Sequence, residues 1–471
     1  MRDAPDRARA RKPLAAPLDD AALIGLGNGA FAGLGAVLLG VSGGPDSMAL
    51  MLLATHWLAA AGPAAPSVHV ATVDHRLRAG SADEAAWVAC QATAMGFKHH
   101  ALVWAGAKPA TGRQQAARDA RYRLLADLVA SLSPAALDGQ PVGIALAHHL
   151  DDQAETFIMR LQRGSGVDGL AGMKPMRGHA GSPRFEDGRP GLGPEIRIVR
   201  PFLAIAKSRL LATLQARNIP WLEDPSNVSA DFERVRIRKA MKSLHDLGLT
   251  SEVIGTSAQR LARAGAALEQ LTEELAGRAL QTHAGAYAQM ATADFDAAPV
   301  ELRLRLVQRL VRWYGGASEP PRMTKLEALA VRLAQGRPMA STLGGCQIRR
   351  TDVAIRALRE PGRAGLPVLE LQPGEAATWD RRFLVSAGPC WPGPVIVKAL
   401  PAETLTRLDG ASRQAGAAPI SLPRAAALGL PSFWHGDRLL AVAHPDFGGC
   451  GPGLAEQQFF CDNLSAQFVT S

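Results

Sequence analysis

The segment SGGPDS, residues 42 to 47, places small residues and one carboxylate directly after an apolar run. The run before it, AVLLGV, is typical of a buried strand, and the residues after it are typical of a helix. Small residues let main-chain N–H groups converge on an anion, Pro45 suits a first helical turn, and the helix N-terminus adds partial positive charge. We therefore predict a phosphate-binding loop made of Ser42, Gly43, Gly44, Pro45, Asp46 and Ser47.

Two nucleotide-binding motifs do not describe this loop. The pattern GxxxxGK[ST] is absent, and GLGNGA at 25–30 precedes the first strand instead of following it. A plain strand-to-helix turn, which also favours Ser, Gly and Asp, stays open as the simpler alternative.

Polar residues also follow two further apolar runs. VHVATV at 68–73 is followed by Asp74, His75 and Arg76, and VGIALAH at 142–148 leads into His149, Asp151, Asp152 and Glu155. The carboxyl ends of parallel strands share one sheet edge, so these side chains are expected beside the loop. Carboxylates next to a polyphosphate repel it unless a divalent cation lies between them, which predicts Mg²⁺ near Asp46 and Asp152. Each pair alone also fits a helix cap or a solvated turn.

The pattern from about residue 35 to 220 alternates short strands with helical segments. This predicts an α/β fold with a Rossmann-like parallel sheet, followed by an all-helical domain and a small α+β C-terminal domain. The expected divisions are a disordered basic arm (1–20), an α/β domain (21–225), a helical domain (226–364) and a small α+β C-terminal domain (365–471).

Composition restricts the class of protein further. Of 471 residues, 47% are hydrophobic and 20% charged, and we expect a cytoplasmic protein without a membrane span. The net charge of +9 favours a polyanionic partner. Five cysteines without a CxxC pair predict reduced thiols and no metal cluster.

SGGPDS resembles the PP-loop of the N-type ATP pyrophosphatases. Within that superfamily, several further blocks resemble tRNA(Ile)-lysidine synthase, namely VDHRLRAGSADEA, ARDARYRLL, AHHLDDQAETFIMRLQRGSGVDGLAGM, RPFL and WLEDPSNVSADFERVRIRKAM. The resemblance is strong from about 35 to 242 and weaker beyond. Val235 stands where the family pattern has Asn, and KAMKSL replaces the usual leucine and proline.

The resemblance implies a ligase that joins free L-lysine to carbon 2 of the wobble cytidine in the CAU anticodon of isoleucine tRNA. ATP adenylates the base, pyrophosphate leaves, and lysine then displaces AMP, which changes codon reading from AUG to AUA. By the same resemblance, 21–225 would be the catalytic ATP-binding domain, and 226–364 and 365–471 would contact tRNA. The loop would hold the pyrophosphate, and Asp74 would lie near the nucleotide. Lysine must lose a proton before it attacks, and Asp151, Asp152 and His149 are the candidate acceptors. The predicted catalytic set is Asp46, Asp151, Asp152, His149 and Arg236.

Two basic stripes are candidate tRNA contacts. Arg234, Arg238 and Lys242 recur at four-residue steps with Arg236 and Lys239 beside them, and like charges at that spacing destabilise a helix unless an anion binds. A solvated helix face is the simpler alternative. Arg305, Arg309 and Arg312 form a weaker second stripe.

Three other functions stay open. A thiolating PP-loop enzyme acting on tRNA would ordinarily need paired reactive cysteines. A small-molecule amidotransferase or ligase would leave the basic regions unused. A tRNA-binding protein that keeps ATP as a ligand would not need the acidic residues.

Overall fold

The computed structural model describes residues 15–62, 65–77, 80–106, 108–109, 111–132, 140–178, 196–223, 233–317, 319–362, 365–414, 420–447 and 464–468. These residues form two compact units that divide at residue 265. The site residues that follow lie in the first unit unless stated otherwise.

The first unit is built on a six-stranded sheet with the strand order β3-β2-β1-β4-β6-β5. Its strands are β1 (Ala36–Gly40), β2 (Ser67–Asp74), β3 (Lys98–Val103), β4 (Val142–Ala145), β5 (Met176–Gly178) and β6 (Ile196–Val199). Every pairing is parallel except that of β5, which runs antiparallel to β6 at the edge. The predicted α/β class and parallel sheet are confirmed.

Nine helices accompany this sheet in the described residues, the last of them continuing into the second unit. They are α1 (Asp20–Phe31), α2 (Pro45–Ala61), α3 (Ser81–Ala94), α4 (Arg113–Ser131), α5 (Leu150–Leu161), α6 (Val167–Leu170), α7 (Lys207–Ala216), α8 (Glu233–Asp246) and α9 (Ser251–Ala279). Strand β1 is central and apolar on both faces, with Leu38 and Leu39 fully buried, because helices cover both sides of a parallel sheet. The main core joins β1 to α2 and α7.

The second unit begins at residue 266 and contains three antiparallel sheets in its described part. Their orders are β7-β8-β11-β10-β9, β12-β15-β16-β17 and β13-β14-β18. The strands are β7 (Gln281–His283), β8 (Tyr287–Ala291), β9 (Met339–Leu343), β10 (Cys346–Arg350), β11 (Ala354–Arg359), β12 (Leu369–Leu371), β13 (Ala376–Trp379), β14 (Phe383–Ala387), β15 (Val395–Ala399), β16 (Pro431–His435), β17 (Arg438–Val442) and β18 (Leu464–Phe468). The helices are α10 (Thr292–Ala297), α11 (Val300–Gly315), α12 (Met323–Leu333), α13 (Ala402–Gln414) and α14 (Arg424–Ala427).

Two expectations need correction. The region 226–364 is not all helical, because β7 to β11 form a sheet whose buried face packs against α11 and α12 in one core. The basic arm ends earlier than residue 20, since Leu18 is buried and its N–H donates to the Thr213 hydroxyl at 2.8 Å. Residues 1–14 lie outside the described part. The domain boundaries at 225 and 364 stay predictions.

No helix in the described residues is long and apolar enough to span a membrane.

Candidate active site

The predicted phosphate-binding loop connects β1 to α2. Gly44 caps the helix with extended backbone, and Pro45 occupies its first turn, as the sequence predicted. Gly43 adopts φ +87°, and a Cβ there would lie 2.8 Å from Leu222 Cδ1. The loop therefore needs glycine at 43 for both backbone conformation and space.

Three hydrogen bonds, two of them through the Ser47 hydroxyl, fix the shape of this loop. The Leu222 N–H donates to the Gly43 carbonyl at 2.9 Å, and the Ser47 hydroxyl donates to the Gly44 carbonyl at 2.9 Å. The Ser42 N–H donates to Ser47 Oγ at 3.2 Å. Because the first amides of α2 have no acceptor within the helix, they remain the natural donors to an anion.

Asp46 projects from the first turn of α2 between two basic side chains. Its Oδ2 lies 3.0 Å from Lys207 Nζ and 3.5 Å from His149 Nε2. Burial opposes ionisation of Asp46, but the hydrogen bond and charge of His149 together with Lys207 hold its pKa below the usual value. Oδ1 of Asp46 is buried and has no hydrogen-bond partner among the described residues.

His149 caps α5 and is the centre of the acidic cluster, which we define as Asp46, Asp151 and Asp152. The His149 N–H donates to Asp152 Oδ2 at 3.0 Å while its Nδ1 accepts from the Asp152 N–H at 3.4 Å, a reciprocal capping box. The ring lies 3.6 Å from Asp151 Oδ2 and 3.5 Å from Asp152 Oδ2. The sequence prediction that these residues lie together is therefore matched by the geometry.

The side chain of His149 is nearly inaccessible. Burial lowers the pKa of His149, but its hydrogen bond to Asp46 and the charges of Asp152, Asp46 and Asp151 outweigh burial and raise that pKa above the usual value. The imidazole therefore holds a proton more firmly than a free histidine does.

Glu155 lies one turn along α5 and is buried. It accepts two hydrogen bonds from Arg238 of α8, at 2.7 Å from Nε and 3.2 Å from Nη2. This bidentate pair fixes α8 against α5, so Arg238 already has a carboxylate partner.

His148 precedes the cap and differs from its neighbour. Burial lowers the pKa of His148 to about 4, with the charge of Asp152 opposing and those of Arg200, Arg118 and Arg234 assisting. Its Nδ1 has no hydrogen-bond partner among the described residues. His148 is thus a neutral ring beside a group of arginines.

Asp74 ends β2 at the same edge of the sheet. Its Oδ1 accepts from the Arg76 N–H at 2.8 Å. Burial raises the pKa of Asp74, but hydrogen bonds from Ser81 and Arg76 outweigh it and lower the pKa overall. The side chain is 8% exposed.

The predicted basic stripes divide into two kinds of surface. On α8, Arg236, Lys239 and Lys242 are exposed, and Ile237 is the buried residue of the helix. On α11, in the second unit, Arg305 is 7% exposed and contacts Glu301 at 2.9 Å and Glu269 at 3.2 Å. Arg309 also pairs with Glu269. Arg305 and Arg309 are therefore engaged in ion pairs, whereas Arg312 is exposed.

Sequence reasoning missed Lys207, the first residue of α7. Its ammonium contacts Asp46, and its N–H donates to Asp151 Oδ2 at 2.9 Å. Ser251 was also missed, and its hydroxyl donates to Asp151 Oδ1 at 3.1 Å. The available signal for Lys207 was its place after β6, whose end lies at the same sheet edge.

The acidic cluster fits a Mg²⁺ ion whose ligands come partly from the protein and partly from a bound substrate. In the described residues, no three or more His, Cys, Asp or Glu side chains are grouped to hold a metal alone. Mg²⁺ usually takes one or two carboxylates and completes its shell with phosphate and water. The partnerless Oδ1 of Asp46, beside the phosphate loop, suits that role.

A parallel sheet with a phosphate loop at its carboxyl edge defines a nucleotide-binding enzyme domain of the PP-loop class. The family model for this domain, ATP_bind_3, matches residues 26–244. The chain is 37% identical over 412 residues to the tRNA(Ile)-lysidine synthase of Ruegeria pomeroyi, covering 85% of this chain and 87% of that protein. It is 38% identical over 355 residues to that of a Bradyrhizobium species, covering 71% and 92%. It is 39% identical over 345 residues to the tRNA(Ile)-lysidine synthase of Methylobacterium nodulans, covering 72% of this chain and 93% of that protein.

The chain belongs to the tRNA(Ile)-lysidine synthase family, and is an ATP-dependent tRNA-modifying enzyme.

Proposed function

We propose that this enzyme joins L-lysine to carbon 2 of the wobble cytidine in the CAU anticodon of isoleucine tRNA. The 2-oxo oxygen of cytosine attacks the α-phosphate of ATP and pyrophosphate leaves. The ε-amine of lysine then attacks carbon 2, the bond to the adenylated oxygen breaks, and AMP leaves. The base is activated in this way because its carbonyl oxygen is a poor leaving group until adenylated.

One observation carries the assignment of the site. Asp46, Asp151 and Asp152 approach a single buried imidazole, His149, directly beside the phosphate loop. A binding module for ATP has no need to concentrate carboxylates there. Adenylation followed by amine attack needs both a cation to bind phosphate and an acceptor for protons.

We assign the pyrophosphate to the amides of residues 42–47, with Asp74 near the nucleotide. Asp46 and Asp152 would hold Mg²⁺, which when bound stabilises charge on the departing phosphates. The hydrogen bonds that hold the loop support its role because they fix its backbone before the nucleotide arrives.

The geometry of His149 bears on the second step. The ring is buried and its Nδ1 already accepts the Asp152 N–H, so we assign the role of proton acceptor to Asp151 and Asp152. Asp151, at 40% side-chain exposure, is the more accessible of the two. His149 then orients both carboxylates.

For tRNA we propose the exposed stripe on α8, with Arg236, Lys239 and Lys242 as phosphate contacts. Arg234 is partly buried, and its charge acts on His148 beside the acidic cluster. The catalytic role of Arg236 stays a prediction. Arg238 contributes through Glu155, and Arg305 and Arg309 remain weaker candidates because carboxylates already pair with them. Changing Lys239 and Lys242 to Gln should weaken tRNA binding and reduce its salt dependence by about one counterion per removed contact.

The decisive assay incubates the enzyme with ATP, Mg²⁺ and labelled lysine. Parallel reactions contain isoleucine and methionine tRNAs that both carry CAU anticodons. Label entering only the isoleucine tRNA supports the proposal. Pyrophosphate release without lysine incorporation would overturn the second step, and label in both tRNAs would overturn the proposed specificity.

A further inference from the structure

Lys207 contacts the acidic cluster twice, once through its backbone N–H and once through its side-chain ammonium. Its N–H is held by Asp151 Oδ2 at 2.9 Å, and its ammonium lies 3.0 Å from Asp46 Oδ2. The stem between these points is a flexible four-carbon chain, and the side chain is 40% exposed. The backbone of Lys207 is therefore fixed, while its side-chain ammonium is free to change partner.

The ammonium occupies the carboxylate that a divalent cation needs. Asp46 is the one member of the acidic cluster on the phosphate loop helix, and its second oxygen, Oδ1, is buried without a partner among the described residues. A metal ion at Oδ1 and the ammonium at Oδ2 would lie on the same carboxylate, where their like charges repel each other. Entry of Mg²⁺ would therefore weaken the contact between Lys207 and Asp46.

We propose that Lys207 is an exchangeable counter-ion that links metal binding to nucleotide binding. With the site empty it neutralises Asp46. When Mg²⁺ and ATP enter together, it leaves Asp46 and takes the phosphates as its new partner. The inference rests on the proposed ATP and Mg²⁺ site, and extends it to a residue that positions charge.

A linkage follows from this exchange. Mg²⁺ alone must displace Lys207 without offering it another anion, so the metal alone binds weakly. ATP supplies the missing anion, so each ligand strengthens the other by the same factor. Without the ammonium, this part of the coupling disappears.

The test uses full-length enzyme, MgCl₂ and an ATP analogue with a methylene group between the α- and β-phosphorus atoms. Calorimetry measures each ligand alone and then in the presence of the other, for the natural enzyme and for Lys207→Gln. We expect the variant to bind Mg²⁺ alone more tightly and the analogue more weakly. The coupling factor should fall by about fivefold or more, given the usual range of coupling between sites.

Two further variants control the result. Lys207→Arg keeps the charge and should retain most of the coupling, while Lys174→Gln removes an exposed lysine of the same unit and should change neither affinity. Thermal unfolding confirms that each variant is folded. Unchanged Mg²⁺ affinity and unchanged coupling in Lys207→Gln would overturn the inference.

The binding measurements use neither lysine nor tRNA. If the labelled-lysine assay fails while the coupling changes as expected, the proposed reaction is wrong and the counter-ion role stands. If lysine is incorporated and the coupling is unchanged, the counter-ion role alone is wrong.

Discussion

Two aspartates in this chain lie among basic groups, yet their surroundings differ. Asp380, in the second unit, is 7% exposed. Its Oδ2 accepts hydrogen bonds from Arg359 Nε and Arg382 Nε, each at 2.7 Å, and its Oδ1 accepts one from Arg359 Nη2 at 2.8 Å. Asp46 of the first unit has one ammonium at 3.0 Å and one oxygen without a partner among the described residues. All the acceptor oxygens of Asp380 have donors, whereas Oδ1 of Asp46 has none among the described residues.

This difference shows that an acid–base pair does not by itself mark a site. Both aspartates have cationic neighbours, and the buried one has the shorter contacts. What separates them is unused hydrogen-bonding capacity together with access to solvent, which a ligand can exploit and a folded core avoids.

The largest expected effect is on folding, at Asp380. Asp380→Asn should lower the free energy of unfolding by about 3 to 5 kcal/mol, because the buried guanidinium of Arg382 and the largely buried one of Arg359 lose their counter-charge. Urea unfolding measures it. Asp409→Asn, which breaks an exposed pair with Arg413, serves as control and should cost about 0.5 kcal/mol or less. Equal costs for both variants would contradict the contrast.

Asp46 should show the reverse behaviour. Asp46→Asn should slow pyrophosphate release by about 10²- to 10³-fold, since charge stabilisation at the phosphates is lost. Its free energy of unfolding should change by less than about 1 kcal/mol, because the side chain is only partly engaged. Asp83→Asn, an exposed acid of α3, is the control. A large loss of stability with retained turnover would show that Asp46, like Asp380, has a structural role.

A smaller effect concerns the loop that carries Asp46. Gly43→Ala should cost about 2 to 3 kcal/mol, partly from left-handed backbone and partly from crowding by Leu222 and Val88. Gly112→Ala has left-handed backbone but open space, so it should cost about 1 kcal/mol. Thermal unfolding compares the two. If the costs were equal, the loop would not be tightly packed.

The smallest effect is a response to pH. Burial, aided by Arg121, lowers the pKa of His75 to about 4, and neither ring nitrogen has a hydrogen-bond partner among the described residues. Between pH 6.5 and 4 the unfolded chain binds a proton that the folded chain does not, so stability falls as pH falls. The loss should be roughly 1 to 2 kcal/mol after allowing for partial exposure.

Urea unfolding at several pH values measures this slope. His75→Gln should reduce it over the same window, whereas a change at the Asp380 arrangement should leave it in place. An unaltered slope in His75→Gln would assign the pH response to other groups.

Much of the first unit follows from its sequence. Strands β1, β2 and β4 are mainly apolar runs separated by helix-length segments, and this alone brings the loop, Asp74 and His149 to one edge. The partners of charged side chains were not predictable in this way. The pairing of Glu155 with Arg238 crosses 83 positions and depends on how α8 packs on α5.

The sheet of the second unit shows a different limit. β9 and β10 are five residues each and are joined by Gly344 and Gly345, both with positive φ. Two such glycines between short alternating runs are a recognised hairpin signal, but the amphipathic helices α11 and α12 nearby dominate the periodicity. Short strands carry too little pattern to compete with long helices.

The hydrogen bond from the Leu222 amide to the Gly43 carbonyl has a consequence for affinity. That peptide cannot rotate to aim its oxygen at incoming phosphates without breaking the bond. The cradle is thus preorganised, and little conformational entropy is lost when nucleotide enters. The backbone of the loop therefore favours an anion before any ligand binds, because the Gly43 carbonyl is held by Leu222.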